Sequence, residues 1–216
     1  MEISDWLQRI VPDVQSQDWR DGCWLGHIKI RSAAHHPPLH WLGRALDAVD
    51  AAGALDTVTQ RIVRAHGPEA CEGWSEGDQH AQDALTEACA IAWAAERLGP
   101  PQPVDAGGGR LLVRVPSVDA VVAPRRQWPV RSLDDLLKQI GDDVAQASAT
   151  VNGGAGRGIV YVDLNLALDA YARDVGYHGP MTEPVREMLK FFGQEHGLGW
   201  VLTRPFEWGV PIEEWY

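Results

Sequence analysis

The sequence predicts an α/β fold of mixed (α+β) type: a mixed β-sheet flanked by helices, with a mostly helical N-terminal part. Three observations carry this expectation. Apolar residues recur at helical spacing through the first half of the chain and again near 133–144 and 185–192. Short β-rich runs cluster in the middle, at 111–115 and 118–123. The stretch "IVYVDL" (159–164) is a near-continuous apolar strand, the kind that lies in a sheet covered on both faces.

Residues 1–38 show little regular pattern. "DWLQRIV" is one helical turn or two, "WLGHIKIRS" alternates well enough for a short strand, and the paired prolines of "AAHHPPLH" interrupt the chain. From 39 to 65 the pattern is helical but broken at Gly53. Leu42, Ala45, Leu46 and Val49 form one apolar stripe and Leu55, Val58 and Ile62 the next, which predicts a helical hairpin or one bent helix. A third helix covers 79–98, with Leu85, Ala88, Ile91, Ala92 and Ala95 on its buried face and Trp93 in the core; Gly99-Pro100-Pro101 ends it.

"PPQPVDAGGGR" reads as loop, with room for one more strand around Val104. The two β-rich runs follow, separated by Pro116-Ser117. Ser132 then opens a helix with Asp135 three residues on, in the manner of a capping box, and Leu133, Leu136, Leu137, Ile140 and Val144 supply its stripe. "NGGAGRG" is a loop before the 159–164 strand. Thr182 starts a helix with Val185, Met188, Leu189 and Phe192 inward and Gly197 past its end; "GWVLTR" (199–204) is the last strand. The tail "FEWGVPIEEWY" carries Trp208 and Trp215 but no periodic element.

With 216 residues, 45% of them apolar, the chain is long enough for one full core, so a single domain over 1–216 is expected. Its parts are a helical segment (1–75), an α/β core (79–204) and a Trp-containing tail (205–216). No apolar run approaches the roughly 20 residues that span a bilayer. The opening "MEISDWLQRIVPDVQ" is acidic and lacks the basic-then-apolar order of a secretion signal, which predicts a cytoplasmic protein. Cys23, Cys71 and Cys89 form no CxxC pair and no even framework, so free thiols are expected.

The formal net charge is −11. Nucleic-acid affinity comes largely from Lys and Arg on phosphates, so charge disfavours a nucleic-acid partner. "APRRQWPVR" (Arg125, Arg126, Arg131) is the one dense basic stretch, readable as a local binding patch or as a solvated loop. Ten tryptophans, against four tyrosines and three phenylalanines, suit both cores and protein interfaces.

Candidate sites each have an ordinary counterpart. "GGAGRG" (153–158) follows a helix and opens a strand, the reverse of a phosphate-binding loop, and no GK[ST] follows it. Cys23, His27, His35, His36 and His40 cluster early. A zinc site from Cys23, His27, His36 and His40 has tolerable spacing, but "HHPP" is not helical, and loop histidines are commonly polar surface. No GxSxG elbow is present; Ser117 reads as a turn residue, and Cys71 in "EACEG" lies between glutamates that oppose its thiolate. Clustered carboxylates hold Mg²⁺, and Glu87, Asp105, Asp119 and Asp163 are the candidates. Asp119 also fits a turn cap, and Asp163 a solvated strand end.

Glu87 on a long helix, the two strands, the helix from Ser132 and the strand in "GRGIVYVDLN" together resemble the PD-(D/E)XK nuclease-like superfamily over about 79–165. The resemblance implies a core of order α-β-β-β-α-β, with a helix glutamate matched by Glu87. It also implies a Pro-Asp on one strand and a (D/E)-x-K on the next. Here those positions fall near Leu111-Leu112 and on Ala123-Pro124-Arg125, without a carboxylate in either. Lys29, Lys138 and Lys190 are the only lysines, and His27, Leu136 and Met188 stand two positions before them, so the motif is absent from the whole chain. Arg125 is a poor substitute, because arginine does not readily give up a proton.

The resemblance therefore implies a nuclease-like scaffold without its chemistry. The expected function is a non-catalytic acidic binding protein without a cofactor, acting in bacterial defence or regulation on a basic protein partner such as a toxin or a nucleic-acid enzyme. Arg125, Arg126, Trp208 and Trp215 are its candidate binding residues. The alternative is a Mg²⁺-dependent nuclease or phosphohydrolase using Glu87, Asp105 and Asp119.

Overall fold

Strand and helix periodicities resolve into a mixed sheet with helices on both faces. The computed structural model describes residues 5, 6, 9, 38–64, 76–107, 110–127, 130, 132–151, 156–164, 182–203 and 211–216. Among these, six strands stand side by side in chain order, β1 to β6.

Helices α1 (Pro38–Ala51) and α2 (Leu55–Arg64) form the hairpin that the break at Gly53 predicts. Gly53 has φ 71°, a left-handed conformation that glycine adopts without a Cβ clash. Helix α3 (Glu76–Arg97) lies between this hairpin and the sheet. Its residues from Ala88 to Ala94 are buried without interruption, so α3 is covered all round rather than along one stripe. Alanines at 84, 88, 90, 92 and 94 are what allow neighbours to approach from every side.

Strands β1 (Gln102–Asp105), β2 (Leu111–Val115) and β3 (Ala120–Arg126) form an antiparallel meander. A single 3₁₀ turn, Pro116–Val118, and Asp119 at φ 47° join β2 to β3. Helix α4 (Leu133–Val151) then crosses over to β4 (Arg157–Asp163), which pairs in parallel with β3. Helix α5 (Thr182–His196) precedes β5 (Gly199–Thr203), parallel to β4, and β6 (Pro211–Trp215) closes the sheet antiparallel to β5. The α4 start is capped as expected: the Asp135 backbone N–H donates to Ser132 Oγ at 3.1 Å.

Alternation along the strands divides the core in two. Val113, Val115, Val122, Ile159, Tyr161 and Val201 pack with α1, α2 and α3. Ala123, Val160, Val162, Trp200 and Leu202 pack with Leu136, Ile140, Val144, Val185 and Leu189 of α4 and α5. The strands β3, β4 and β5 are thus covered on both faces, which is why "IVYVDL" is so apolar.

Three features differ from the expectations. A strand does form around Val104, but β3 runs on through Pro124 to Arg126. The tail is not aperiodic: it supplies β6, with a register shift opposite Leu202/Thr203. Asp163 is not solvated but wholly buried. The segments holding the early strand, Cys23, His27, His35, His36, Cys71, Arg131 and Trp208 lie outside the described residues; His40 falls in the first turn of α1. Cys89 is a free, buried thiol, raised well above its ordinary pKa by burial.

Two helical glycines separate competing effects. Replacing glycine by alanine inside a helix ordinarily stabilises by about 1 kcal/mol. At Gly193 a Cβ would lie 2.9 Å from the Leu198 carbonyl oxygen, a backbone atom that cannot easily give way. At Gly141 the nearest obstacle is the flexible Met188 Cε, 3.1 Å away. Urea denaturation should show Gly193→Ala destabilised by about 1–3 kcal/mol. Gly141→Ala should remain neutral or gain up to about 1 kcal/mol.

Candidate functional site

Proline 124 determines where the sheet opens. The β2–β3 register runs from Val115↔Ala120 to Val113↔Val122, and Pro124, which has no N–H to donate, lies beyond it. On its other side β3 stays paired with β4 as far as Arg126↔Asp163. A cleft of about 40 Å³ opens at this end of β3, room for roughly three waters. Asp83, Thr86 and Glu87 of α3 line one wall, Asp143 of α4 lines another, and Arg110, Pro124, Arg125 and Arg126 complete it.

Glu87 is almost fully buried, yet both carboxylate oxygens are engaged. Oε1 accepts the Leu111 backbone N–H at 3.1 Å, and Oε2 accepts from Arg61 Nη1 of α2. Burial outweighs these two favourable contacts and pushes the Glu87 pKa up to about 7. On the α3 face of β3, Arg126 Nε donates to Asp83 Oδ1 at 2.8 Å, and its Nη1 donates to Gln82 Oε1 at 3.2 Å.

Arg125 points to the opposite face, as strand alternation requires. Its Nη1 donates to the Pro124 carbonyl at 2.8 Å, while Nε, 3.9 Å from Asp143 Oδ1, is buried without a hydrogen bond. Asp143 instead accepts from Gln127 Nε2 at 2.9 Å. Burial raises the Asp143 pKa and lowers that of Arg125, and in each case the attraction between them works against the shift. Asp163 lies deeper. Its two oxygens accept from Thr86 Oγ1 at 2.5 Å and Thr203 Oγ1 at 3.1 Å, and Thr203 Oγ1 in turn accepts the Leu164 N–H at 3.1 Å.

The candidate carboxylates do not converge. Glu87 and Asp105 come to the same end of the sheet, since Asp105 pairs in register with Leu111. The Asp105 carboxylate is used locally, accepting the Gly107 N–H at 2.8 Å. Asp119 closes the turn before β3, and six residues of strand, about 20 Å, separate that end from Arg126. Among the described residues no group of three or more His, Cys, Asp or Glu side chains is placed to hold a metal ion. Arg125 and Arg126 are both at the cleft, whereas Trp215 stands on β6, at the edge of the sheet, half exposed.

Sequence reasoning missed Arg61, Asp83, Thr86, Asp143 and Thr203. A usable signal existed for α3, where Asp83, Thr86 and Glu87 share a helical face at i, i+3 and i+4. Compared with known protein families, curated proteins and solved structures, the chain matches none. Among the described residues no helix is long and apolar enough to cross a membrane.

The raised pKa of Glu87 has a definite consequence for stability. An acid whose folded pKa of about 7 exceeds its ordinary 4.5 favours the folded state while protonated. That contribution is complete below about 4.5 and is lost as pH rises through about 7, by an amount on the order of 3 kcal/mol. Denaturation curves of the wild type and Glu87→Gln across this window should therefore diverge. The wild type should lose up to about 3 kcal/mol more than the variant between these pH values.

Proposed function

We propose that this chain is a non-catalytic acidic binding protein on a nuclease-like scaffold, acting in bacterial defence or regulation by binding a basic protein partner. The order α3-β1-β2-β3-α4-β4 is the order that the resemblance implies, and Glu87 falls on its first helix. One observation carries the reading: arginines of the chain itself face the carboxylates of the cleft. Arg61 meets Glu87, Arg126 meets Asp83 and Arg125 faces Asp143.

Divalent metal catalysis requires carboxylate oxygens free to ligate and a group that can orient or deprotonate water. Each Glu87 oxygen already accepts a hydrogen bond, one of them from the Arg61 guanidinium, whose positive charge opposes a metal ion there, and a guanidinium stays protonated at any ordinary pH. The net charge of −11 supports the other half of the proposal, since it accelerates encounter with a basic partner.

The test is cleavage of plasmid, single-stranded DNA and RNA with Mg²⁺ or Mn²⁺, together with calorimetric titration of each metal. No cleavage and no metal-binding heat are expected. Metal-dependent cleavage abolished by Glu87→Gln or Asp119→Asn, with folding intact, would restore the nuclease reading and overturn this one.

A further inference from the structure

We infer that the outer edge of β6 is a strand-addition site for an extended basic segment of a partner protein, with Trp215 as its aromatic anchor. The inference rests on the binding reading above and names the surface that performs it.

Among the described residues the sheet has two edges, and they are built differently. Strand β1 is four residues long and carries Pro103, paired with Val113, inside it. A short strand with an internal proline offers a poor template for further pairing. Strand β6 is five residues long, has proline only at its first position and contains no lysine. After the register shift near Leu202/Thr203, Glu213, Glu214 and Trp215 run in regular register with Leu202, Val201 and Trp200. Among the described residues nothing pairs with their outer side. Backbone donors and acceptors left in a row this way are the basis of recognition by strand addition.

The side chains determine what fits. Trp215 is 51% exposed and Tyr216 37%, both well above what side chains of that size show in a core. Exposed tryptophan and tyrosine are the residues most often found as interface anchors. Glu213 faces α5, where it pairs with Arg186, and Glu214 faces α3, where it accepts from Trp93 Nε1 at 3.2 Å and lies 3.4 Å from Arg97. An added strand therefore meets one carboxylate on each face of the sheet. A carboxylate accepts several hydrogen bonds, so a lysine or arginine across from it extends the existing pair. A second copy of β6, paired antiparallel and centred on this stretch, would instead set glutamate against glutamate, and like charges directly opposite are destabilising.

The probe is a blocked hexapeptide, Thr-Val-Lys-Lys-Val-Thr, with Thr-Val-Glu-Glu-Val-Thr as its counterpart, added to the full chain. Hydrogen exchange by NMR should show the lysine peptide slowing exchange of the 213–215 amides, with the glutamate peptide binding at least about tenfold more weakly. Trp215→Ala should weaken the lysine peptide by about tenfold or more, and Trp215→Tyr should restore part of the loss. Equal binding of the two peptides, protection confined to other strands, or dimerisation through β6 would overturn the inference. Metal-dependent cleavage would instead overturn the binding reading itself, so the two failures are distinguishable.

Discussion

Two buried carboxyl groups, Glu87 on helix α3 and Asp163 on the strand beneath it, tie the architecture together. A buried carboxyl group left without hydrogen-bond partners costs about 1–3 kcal/mol or more, so each is met from more than one direction. Glu87 is met by Arg61 from α2 and by the start of β2 through the Leu111 N–H. Asp163, at the end of β4, is met by Thr86 from α3 and by Thr203 from β5. Between them the two groups fix α2, α3 and three strands relative to one another. The uninterrupted burial of α3 from Ala88 to Ala94 follows, because a helix held against the sheet on one side and the hairpin on the other has no face left for water.

The cleft is a consequence of the same junction. Pro124 cannot extend the β2–β3 ladder, so the two strands separate where Glu87 reaches across to Leu111. Alternation then sends Arg126 toward α3 and Arg125 toward α4, and each finds a carboxylate on the helix it faces. The pairs differ in quality. Arg126 is hydrogen-bonded to Asp83 and Gln82, whereas Arg125 faces an Asp143 already taken by Gln127 and leaves its Nε unsatisfied. An orphaned donor of this kind makes the Arg125 side the weaker half of the cleft.

Most of the fold was legible because its elements are local. The break at Gly53, the Ser132–Asp135 cap and the stripes of α4 and α5 need only neighbouring residues to be read. Strand β6 was not legible, since Glu213-Glu214 interrupts apolar alternation and its first residues are shifted in register against β5. Asp163 was misread for another reason. A carboxylate near a strand end ordinarily belongs to solvent, and the hydroxyls that bury it lie 77 and 40 residues away. Glu87 was legible as a candidate carboxylate on a long helix, but Arg61, which determines what it can do, is visible only once α2 and α3 pack together. The turn reading of Asp119 needed nothing distant, and its left-handed φ accords with it.

These pairings also constrain how the cleft could carry other chemistry. Removing one member of a buried ion pair leaves the other desolvated and, unless it takes up or gives up a proton, charged, at a cost of up to about 3–5 kcal/mol, a large share of the stability of a typical domain. Freeing Glu87 means losing Arg61, and freeing Asp83 means losing Arg126, so a metal site here would require several coupled changes rather than one. The outer face of β6 is under no such constraint: Trp215 is half exposed, and the pairs of Glu213 and Glu214 lie near the surface, where their net energies are small. Glu87 and Asp83 are thus held by largely buried arginines, whereas Glu213 and Glu214 pair with more exposed ones.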